Sequence, residues 1–452
     1  MVRGRRVTAV LTDEPFTPVE RALERLEEAV SPLVGIVTRT ISTTYTTDEA
    51  SLPNCAAELA SAVRTLGGRA VDYGSGAHPL PARARAAAIG EALERYSAVY
   101  VPRERIQLAT ARSLGDAAVR PFRFALFHPA QHAERELPFT EFTEDTPTAF
   151  VEGASLHDGS PAYLPAELVY LGRPATASLP VAFSTSNGLA CAATFTEAVL
   201  RALLELVERD AVMLAWKCRL SLPLLDWTDD EDLQSYDRRF FGPTGVPFNV
   251  LDGSAFLDIP IAIAVVHGAP GSGASLAIGA GASATVGEAW LAAVAEGFGV
   301  YRWVRQQTLA QQPGTPPPDP DRIETFEQHL LYYAQPEHAE LAAFLDGSTE
   351  RRPTRSVPAL EGATPRSQID AVLRRLARHG LSAYAVDVTS PDVRSLGLSV
   401  ARVIVPELCA LDVSHRARFL GGTRLYTAAH EAGFVPAPLE PADLNHLPHP
   451  FP

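Results

Sequence analysis

Cysteine is scarce in this chain of 452 residues, and its four copies, Cys55, Cys191, Cys218 and Cys409, form no C-x-x-C pair. That spacing suggests neither a zinc ribbon nor a disulfide framework, and the four read as buried thiols. No apolar run approaches the roughly 20 residues that span a bilayer. The basic start, Met1 to Val10, leads into no sustained apolar segment with a cleavage site, so neither membrane nor secretion is indicated and the cytoplasm is the expected place. Positive charge is also short. The 39 Lys and Arg stand against 53 Asp and Glu, a formal charge of −14, which argues against a nucleic-acid surface and leaves no basic stripe for anionic lipid. Finally, no G-x-x-x-x-G-K-[ST] occurs, so a P-loop has nothing to rest on and any nucleotide must be held otherwise.

What is present describes a globular α/β protein: 46% hydrophobic and 20% charged residues, with helix and strand patterns alternating and no clean break in composition. One interlocked body is expected. Thr17 to Val30 has helical periodicity and precedes the strand-like V-S-P-L-V-G-I-V-T-R-T-I. Asn54 to Gly67 reads as an Ala-rich helix stopped by Gly67-Gly68, and Val99 to Glu152 as alternating strands and loops. Asn249–Asp252 and Ile259–His267 read as strands, as do Ala383–Val388 and Val400–Val405, with a helix over Arg366–His379. Gln311–Asp321 is a stiff Pro-rich loop, and the polar stretch Gly347–Pro358 is expected to be mobile.

The richest signal is a repeated one. Ser184 to Trp216 is a small-residue, glycine-bearing lead running into a long helix that starts near Thr194 or Thr196. At about 100° per residue, Glu197, Arg201, Glu205 and Glu208 share a fan of roughly 80°, opposite a leucine-rich side. Gly74 to Tyr96 repeats the pattern with Glu91, Glu94 and Arg95. A third copy from Gly279 carries Glu288 and Glu296, on a helix from Val286 to about Gln307. A single such helix is an ordinary solvated face; three in one chain are not. Converging carboxylates repel unless cations sit between them, and hard oxygen ligands suggest Mg²⁺.

Other features stay open. Arg95, Arg209 and Arg302 follow their Glu clusters and suit either phosphate or structural pairing with Glu. Ser186-Asn187-Gly188 and Gly279-Ala280-Gly281 fit a close approach of phosphate at a helix start, or plain turn chemistry. Cys191 has no histidine near it in sequence. His128 and His132 are four apart, with Pro129 between them breaking the helical spacing that metal ligation needs.

These motifs resemble the YcaO family. The resemblance rests on E-x-x-E-R in the first helix, S-N-G-L-A and G-A-G-A before the other two, L-P-A-E-L-V-Y at Leu164, R-V-I-V-P-E-L at Arg402 and G-G-T-R-L at Gly421. It spans roughly Ser31 to the last residue, in the family's order. It implies a YcaO-type α/β fold, mixed β-sheets packed with Glu-bearing helices around a non-Walker ATP site. Residues 1–70 are then an N-terminal region and 71–452 the catalytic domain. ATP and Mg²⁺ are the implied cofactors. Glu91, Glu94, Arg95, Ser186, Glu197, Glu205, Glu208, Arg209, Glu296 and Arg302 are expected at the nucleotide, with Glu91, Glu94, Glu205, Glu208 and Glu296 as metal ligands. The family pattern G-K-G before the first helix is here Gly74-Ser75-Gly76, so phosphate charge would fall to Arg83 or Arg85. The ending P-H-P-F-P resembles the P-x-P-x-P tail of azoline-forming cyclodehydratases, which assigns Pro448, Pro450 and Pro452 to the active site and a positioning or base role to the terminal carboxylate. The implied activity is ATP-dependent cyclodehydration of Cys, Ser or Thr in a ribosomal precursor peptide. Thioamide or amidine formation, or a catalytically silent scaffold, are the alternatives. Without a fused leader-binding domain, a separate leader-binding partner protein is expected, and a flavin dehydrogenase and a homodimer complete the expected assembly.

Overall fold

A computed structural model describes residues 11–43, 45–46, 49–60, 73–133, 137–172, 180–312 and 316–452. Parts of two expected segments, the Ala-rich helix beyond Ala60 and the middle of the Pro-rich loop, lie outside them. In chain order the strands are β1 (Val37–Ser42), β2 (Asn54–Leu59), β3 (Tyr73–Ala77), β4 (Ile106–Ala109), β5 (Thr148–Ser155), β6 (Pro161–Pro165) and β7 (Leu189–Ala192). They continue with β8 (Leu224–Asp226), β9 (Phe248–Asp252), β10 (Ile261–His267), β11 (Leu276–Ala282), β12 (Arg351–Pro353), β13 (Tyr384–Asp387) and β14 (Ser399–Ile404). The longer helices are α1 (Val19–Glu27), α2 (Pro81–Val99), α3 (Phe195–Lys217), α4 (Val286–Ala310), α5 (Phe326–Tyr332) and α6 (Pro365–Arg378).

Among the described residues the strands form three sheets, ordered β1-β2-β3, β11-β10-β9-β8-β12, and β4-β5-β13-β14-β7 with β6 beside β5. The first and second share a unit: an antiparallel hairpin, β2-β3 or β10-β11, whose last strand leads into a helix lying on it, α2 or α4. Glycine makes the contact possible. A Cβ on Gly76 would meet Ala84 O at 2.2 Å, and one on Gly279 would meet Gly297 N at 2.2 Å, so strand and helix touch backbone to backbone. Gly279-Ala280-Gly281 therefore sits inside β11 against the flank of α4, and the expectation of a phosphate turn at the helix start is corrected. α3 runs through the largest core, and Thr194 caps it by accepting from the Glu197 N–H at 3.1 Å.

Two further expectations are revised. Asn54–Leu59 is a strand, because Cys55, Ala57 and Leu59 alternate inward and pair between β1 and β3; burial at period 2 overrides alanine's helix preference. The polar stretch after Gly347 holds β12, parallel to β8. Arg352 anchors it at 2.5 Å to Asp252, which is 1% exposed.

Candidate functional site

The two hairpin-helix units present the same chemistry. Ser75 N–H donates to Glu91 Oε2 at 2.7 Å, and Ala280 N–H donates to Glu296 Oε2 at 2.7 Å, each across 16 residues of sequence. Glycine neighbours let the strand pass close enough for its amide to reach a helix carboxylate. α3 enters between them: Ala282 N–H donates to Glu208 Oε2 at 3.0 Å, and the Gly188 N–H faces Glu205. Arg95 pairs with Glu91 at 3.2 Å and lies 3.6 Å from Glu94, while Arg209 is 2.9 Å from Glu205 and donates to Asn187 Oδ1 at 2.7 Å. β14 adds Arg402, 4% exposed, which donates to Thr185 O at 2.7 Å. Solvent still reaches the cluster, since the Glu94 and Glu91 side chains keep 14% and 31% of their surface.

Crowding raises the carboxyls. Burial pushes Glu208 up to about 8, helped by the charge of Glu296. Burial likewise lifts Glu296 to about 7 against the Ala280 amide and Arg209, which favour its charged form. Glu94 and Glu205 also rise through burial, opposed most by Arg95 and Arg209 respectively. Arg402 falls to about 10 because burial outweighs the attraction of Glu205 and Glu94.

These residues fit an anionic ligand together with a cation. The Nε groups of Arg95, Arg209 and Arg402 are buried and make no hydrogen bond among the described residues, even though Arg209 Nε lies close to Glu205. Donors left in this state are suited to phosphate oxygens. The raised carboxyls are hard oxygen ligands that a divalent cation would relieve. Among the described residues no three His, Cys, Asp or Glu side chains are set to hold a metal alone, so such an ion would complete its shell with water and phosphate oxygens.

Not every expected residue joins the cluster. Glu197 accepts from Thr17 N–H at 2.5 Å and clasps the N-terminal segment. Arg302 lines a narrow surface pocket with Glu49, Asn54, Ala77 and Phe298. Ser186 is buried one residue before Asn187, the partner of Arg209. Arg85 is bound to Glu27 and Thr40, so it is not placed to replace the missing lysine. His128 caps a short helix by accepting from Ala130 N–H, and burial pushes the Cys191 thiol up to about 12, which leaves it inert. The segment around Pro448, Pro450 and Pro452 is docked rather than free, with Phe451 only 1% exposed. Arg402 was not among the expected site residues, and Asn187 was expected only as part of the Ser186-Asn187-Gly188 lead. An arginine in the apolar strand S-V-A-R-V-I was the available signal for the first.

A family model described as YcaO cyclodehydratase, ATP- and Mg²⁺-binding, matches residues 51–409. Among solved structures, a heterocyclase in complex with substrate and cofactor is 25% identical, with a TM-score of 0.80 over 98% of this chain and 59% of that one. The heterocyclase TruD is 24% identical, with a TM-score of 0.71 over 98% and 55%. This chain thus spans less than two thirds of either. YcaO from Methanopyrus kandleri bound with AMPPCP and Mg²⁺ is 20% identical, with a TM-score of 0.59 over 87% and 91%. The E. coli microcin synthetase McbBCD complex shares the fold at 12% identity and a TM-score of 0.57 over 90% and 98%, and was also solved with pro-MccB17 bound. No curated protein sequence matches. Among the described residues, no helix is long and apolar enough to cross a membrane.

Proposed function

The chain belongs to the YcaO family, and from this premise we propose that it is an ATP-dependent cyclodehydratase acting on a ribosomally made peptide. A Cys, Ser or Thr side chain of the substrate attacks the preceding amide carbonyl. The nucleophile gives up its proton, the γ-phosphoryl group passes to the oxyanion with release of ADP, and loss of phosphate with the amide N–H proton leaves a thiazoline or oxazoline. Amide oxygen is a poor leaving group, which is why phosphorylation is the sensible route. One observation carries the reading: carboxylates from three helices gather with the guanidinium groups of Arg95, Arg209 and Arg402, whose Nε atoms make no hydrogen bond among the described residues although two of them lie beside Glu94 and Glu205.

In this reading Glu91, Glu94, Glu205, Glu208 and Glu296 face the cation, and Arg95, Arg209 and Arg402 face the phosphates. Bound Mg²⁺ would offset triphosphate charge. Glu197, Ser186 and Arg302 support the site from outside the cluster. Residues 71–452 act as the catalytic domain, braced by 1–70 through the sheet that joins β1 and β2 to β3. The tail bearing Pro448, Pro450 and Pro452 takes part at the reacting end. A separate leader-binding protein, a flavin dehydrogenase, a second copy of the chain and a cytoplasmic setting belong to the same proposal; the McbBCD complex, a microcin synthetase solved as an assembly, supports the involvement of partner proteins.

The test is mass spectrometry of the cognate precursor peptide incubated with this protein, its partner, ATP and Mg²⁺, beside a protein lacking residues 448–452. Loss of one water mass per ring, absent from the shortened protein, is expected. Nucleotide binding without any mass loss rejects cyclodehydration and favours the scaffold, a reading that Ser75 in place of lysine motivates.

A further inference from the structure

The docked tail depends on a histidine that neither the family match nor the nucleotide site involves. Up to residue 448 the segment is tied to the end of α3 and its surroundings. Asn445 N–H donates to Lys217 O at 2.7 Å, Trp216 Nε1 to Leu447 O at 3.2 Å, and Tyr333 Oη to Pro448 O at 2.5 Å. Beyond that point the backbone has little to offer, because Pro450 and Pro452 carry no N–H.

His449 supplies the hold instead. Its Nδ1 accepts from the Phe451 N–H at 3.3 Å, so its proton belongs on Nε2, which donates to Asp412 O at 2.8 Å. Asp412 is itself pinned from α3, its carboxylate 3.0 Å from Lys217 Nζ and accepting the Phe419 N–H at 2.6 Å. One face of the ring stacks on His329, centroids 4.0 Å apart and planes at 15°. His449 is 2% exposed and His329 fully buried, so burial keeps both neutral, at about 3 and about 2. A continuous path thus runs from α3, which carries Glu205 and Glu208, through Lys217, Asp412 and His449 to Phe451.

We infer that His449 is a positioning residue: with its proton on Nε2, it holds Phe451 and Pro452 in one arrangement against the far end of α3, setting the tail for ring closure. This rests on the tail's proposed part in cyclisation.

His449→Leu removes both hydrogen bonds at similar size. His449→Asn keeps an acceptor near the Nδ1 position, and His449→Gln keeps a donor near Nε2. In the full-length protein, hydrogen exchange of the peptide 444–452, kcat and KM for the precursor peptide, and nucleotide affinity are measured together. For His449→Leu, Phe451 exchange rises and kcat falls, each about tenfold or more, while KM and nucleotide affinity hold. The Asn variant recovers most of both, and Gln lies between. A His449→Leu protein with wild-type kcat, or with lowered kcat but a protected Phe451, overturns the inference, as does an Asn variant no better than Leu. If His449→Leu does not fold, the Asn and Gln variants decide it, since wild-type kcat and protection in both refute the hold. Removal of residues 448–452 separates the two levels. Normal turnover without them refutes the tail's role itself, whereas turnover lost on removal but kept in His449→Leu refutes only the histidine.

Discussion

Replacing Gly279 with alanine tests the backbone contact on which the Glu cluster depends. The new methyl would lie 2.2 Å from Gly297 N and 2.4 Å from Ala293 O, both main-chain atoms of α4, so no side chain can rotate out of the way. Strand and helix must separate, and overpacking of this kind costs about 1–3 kcal/mol. Reduced freedom of the unfolded chain returns about 0.4–1 kcal/mol, leaving a net loss of about 1 kcal/mol. Gly299, on the same helix, has no atom within 4 Å of its Cβ position. Alanine there stabilises by about 0.5–1 kcal/mol, through helix propensity alone. Urea denaturation of the two variants should therefore move in opposite directions. Function should divide them too, because β11 supplies the amides that hold Glu296 and Glu208. A displaced β11 moves both carboxylates, so folded Gly279→Ala should bind nucleotide about tenfold more weakly, and Gly299→Ala as the wild type does. Gly279→Ala with unchanged urea midpoint and nucleotide affinity refutes the reasoning.

Acid should destabilise the protein through His329, His415 and His449, which burial holds at about 2, 4 and 3. Between those values and the ordinary histidine range the unfolded chain binds protons that the folded one does not. The contribution of each ring then falls as pH drops from 7 to 5, by up to about 2 kcal/mol, while the raised glutamates oppose it over the same range; a His329→Phe protein whose stability changes between pH 7 and 5 as the wild type's does contradicts it. Glu208 and Glu296 act in the other direction: raised to about 8 and about 7, they stay protonated in the folded protein where the unfolded chain has released its protons, so stability falls as pH rises toward 8. Glu208→Gln should raise stability at pH 8 by on the order of 2 kcal/mol while weakening Mg²⁺-dependent nucleotide binding, and an unchanged alkaline limb argues against it. Lys217→Met leaves the Asp412 carboxylate buried without its cation and should cost about 3–5 kcal/mol. Adding Asp412→Asn should restore much of that in a thermal melt, and a double variant no better than the single one excludes the pair as the cause.

Periodicity revealed α3 and α4 because each keeps its apolar side over more than five turns. It misread β2, where alanine's preference for helix concealed the inward alternation of Cys55, Ala57 and Leu59. The angular plot of α3 placed Glu197 beside Glu205, correctly in angle. Eight residues of rise separate them by about 12 Å along the axis, and the first turn reaches Thr17 instead. Gly279-x-Gly281 was recognisable as a site of close approach, but which backbone approached was not, since strand on helix and phosphate on helix start ask the same of glycine. Arg402 was out of reach of local spacing because β14 lies about two hundred residues after Glu205 and is brought in by the pairing of β14 with β7.

The charge count explains why these elements need a ligand. Glu91, Glu94, Glu205, Glu208 and Glu296 against Arg95, Arg209 and Arg402 leave two negative charges in excess when all are ionised. The protein alone can lessen that excess by keeping protons on the carboxyls that burial raises, Glu94, Glu208 and Glu296 among them. A triphosphate brought in without a cation would meet that excess, and the three arginine Nε groups could not outweigh it. A divalent cation brought in without phosphate would find carboxylates but, among the described residues, no set of three to enclose it. In the proposed reading each ligand supplies what the other lacks, so cation and nucleotide should enter as one charge-compensated unit and displace protons from Glu208 and Glu296 as they do.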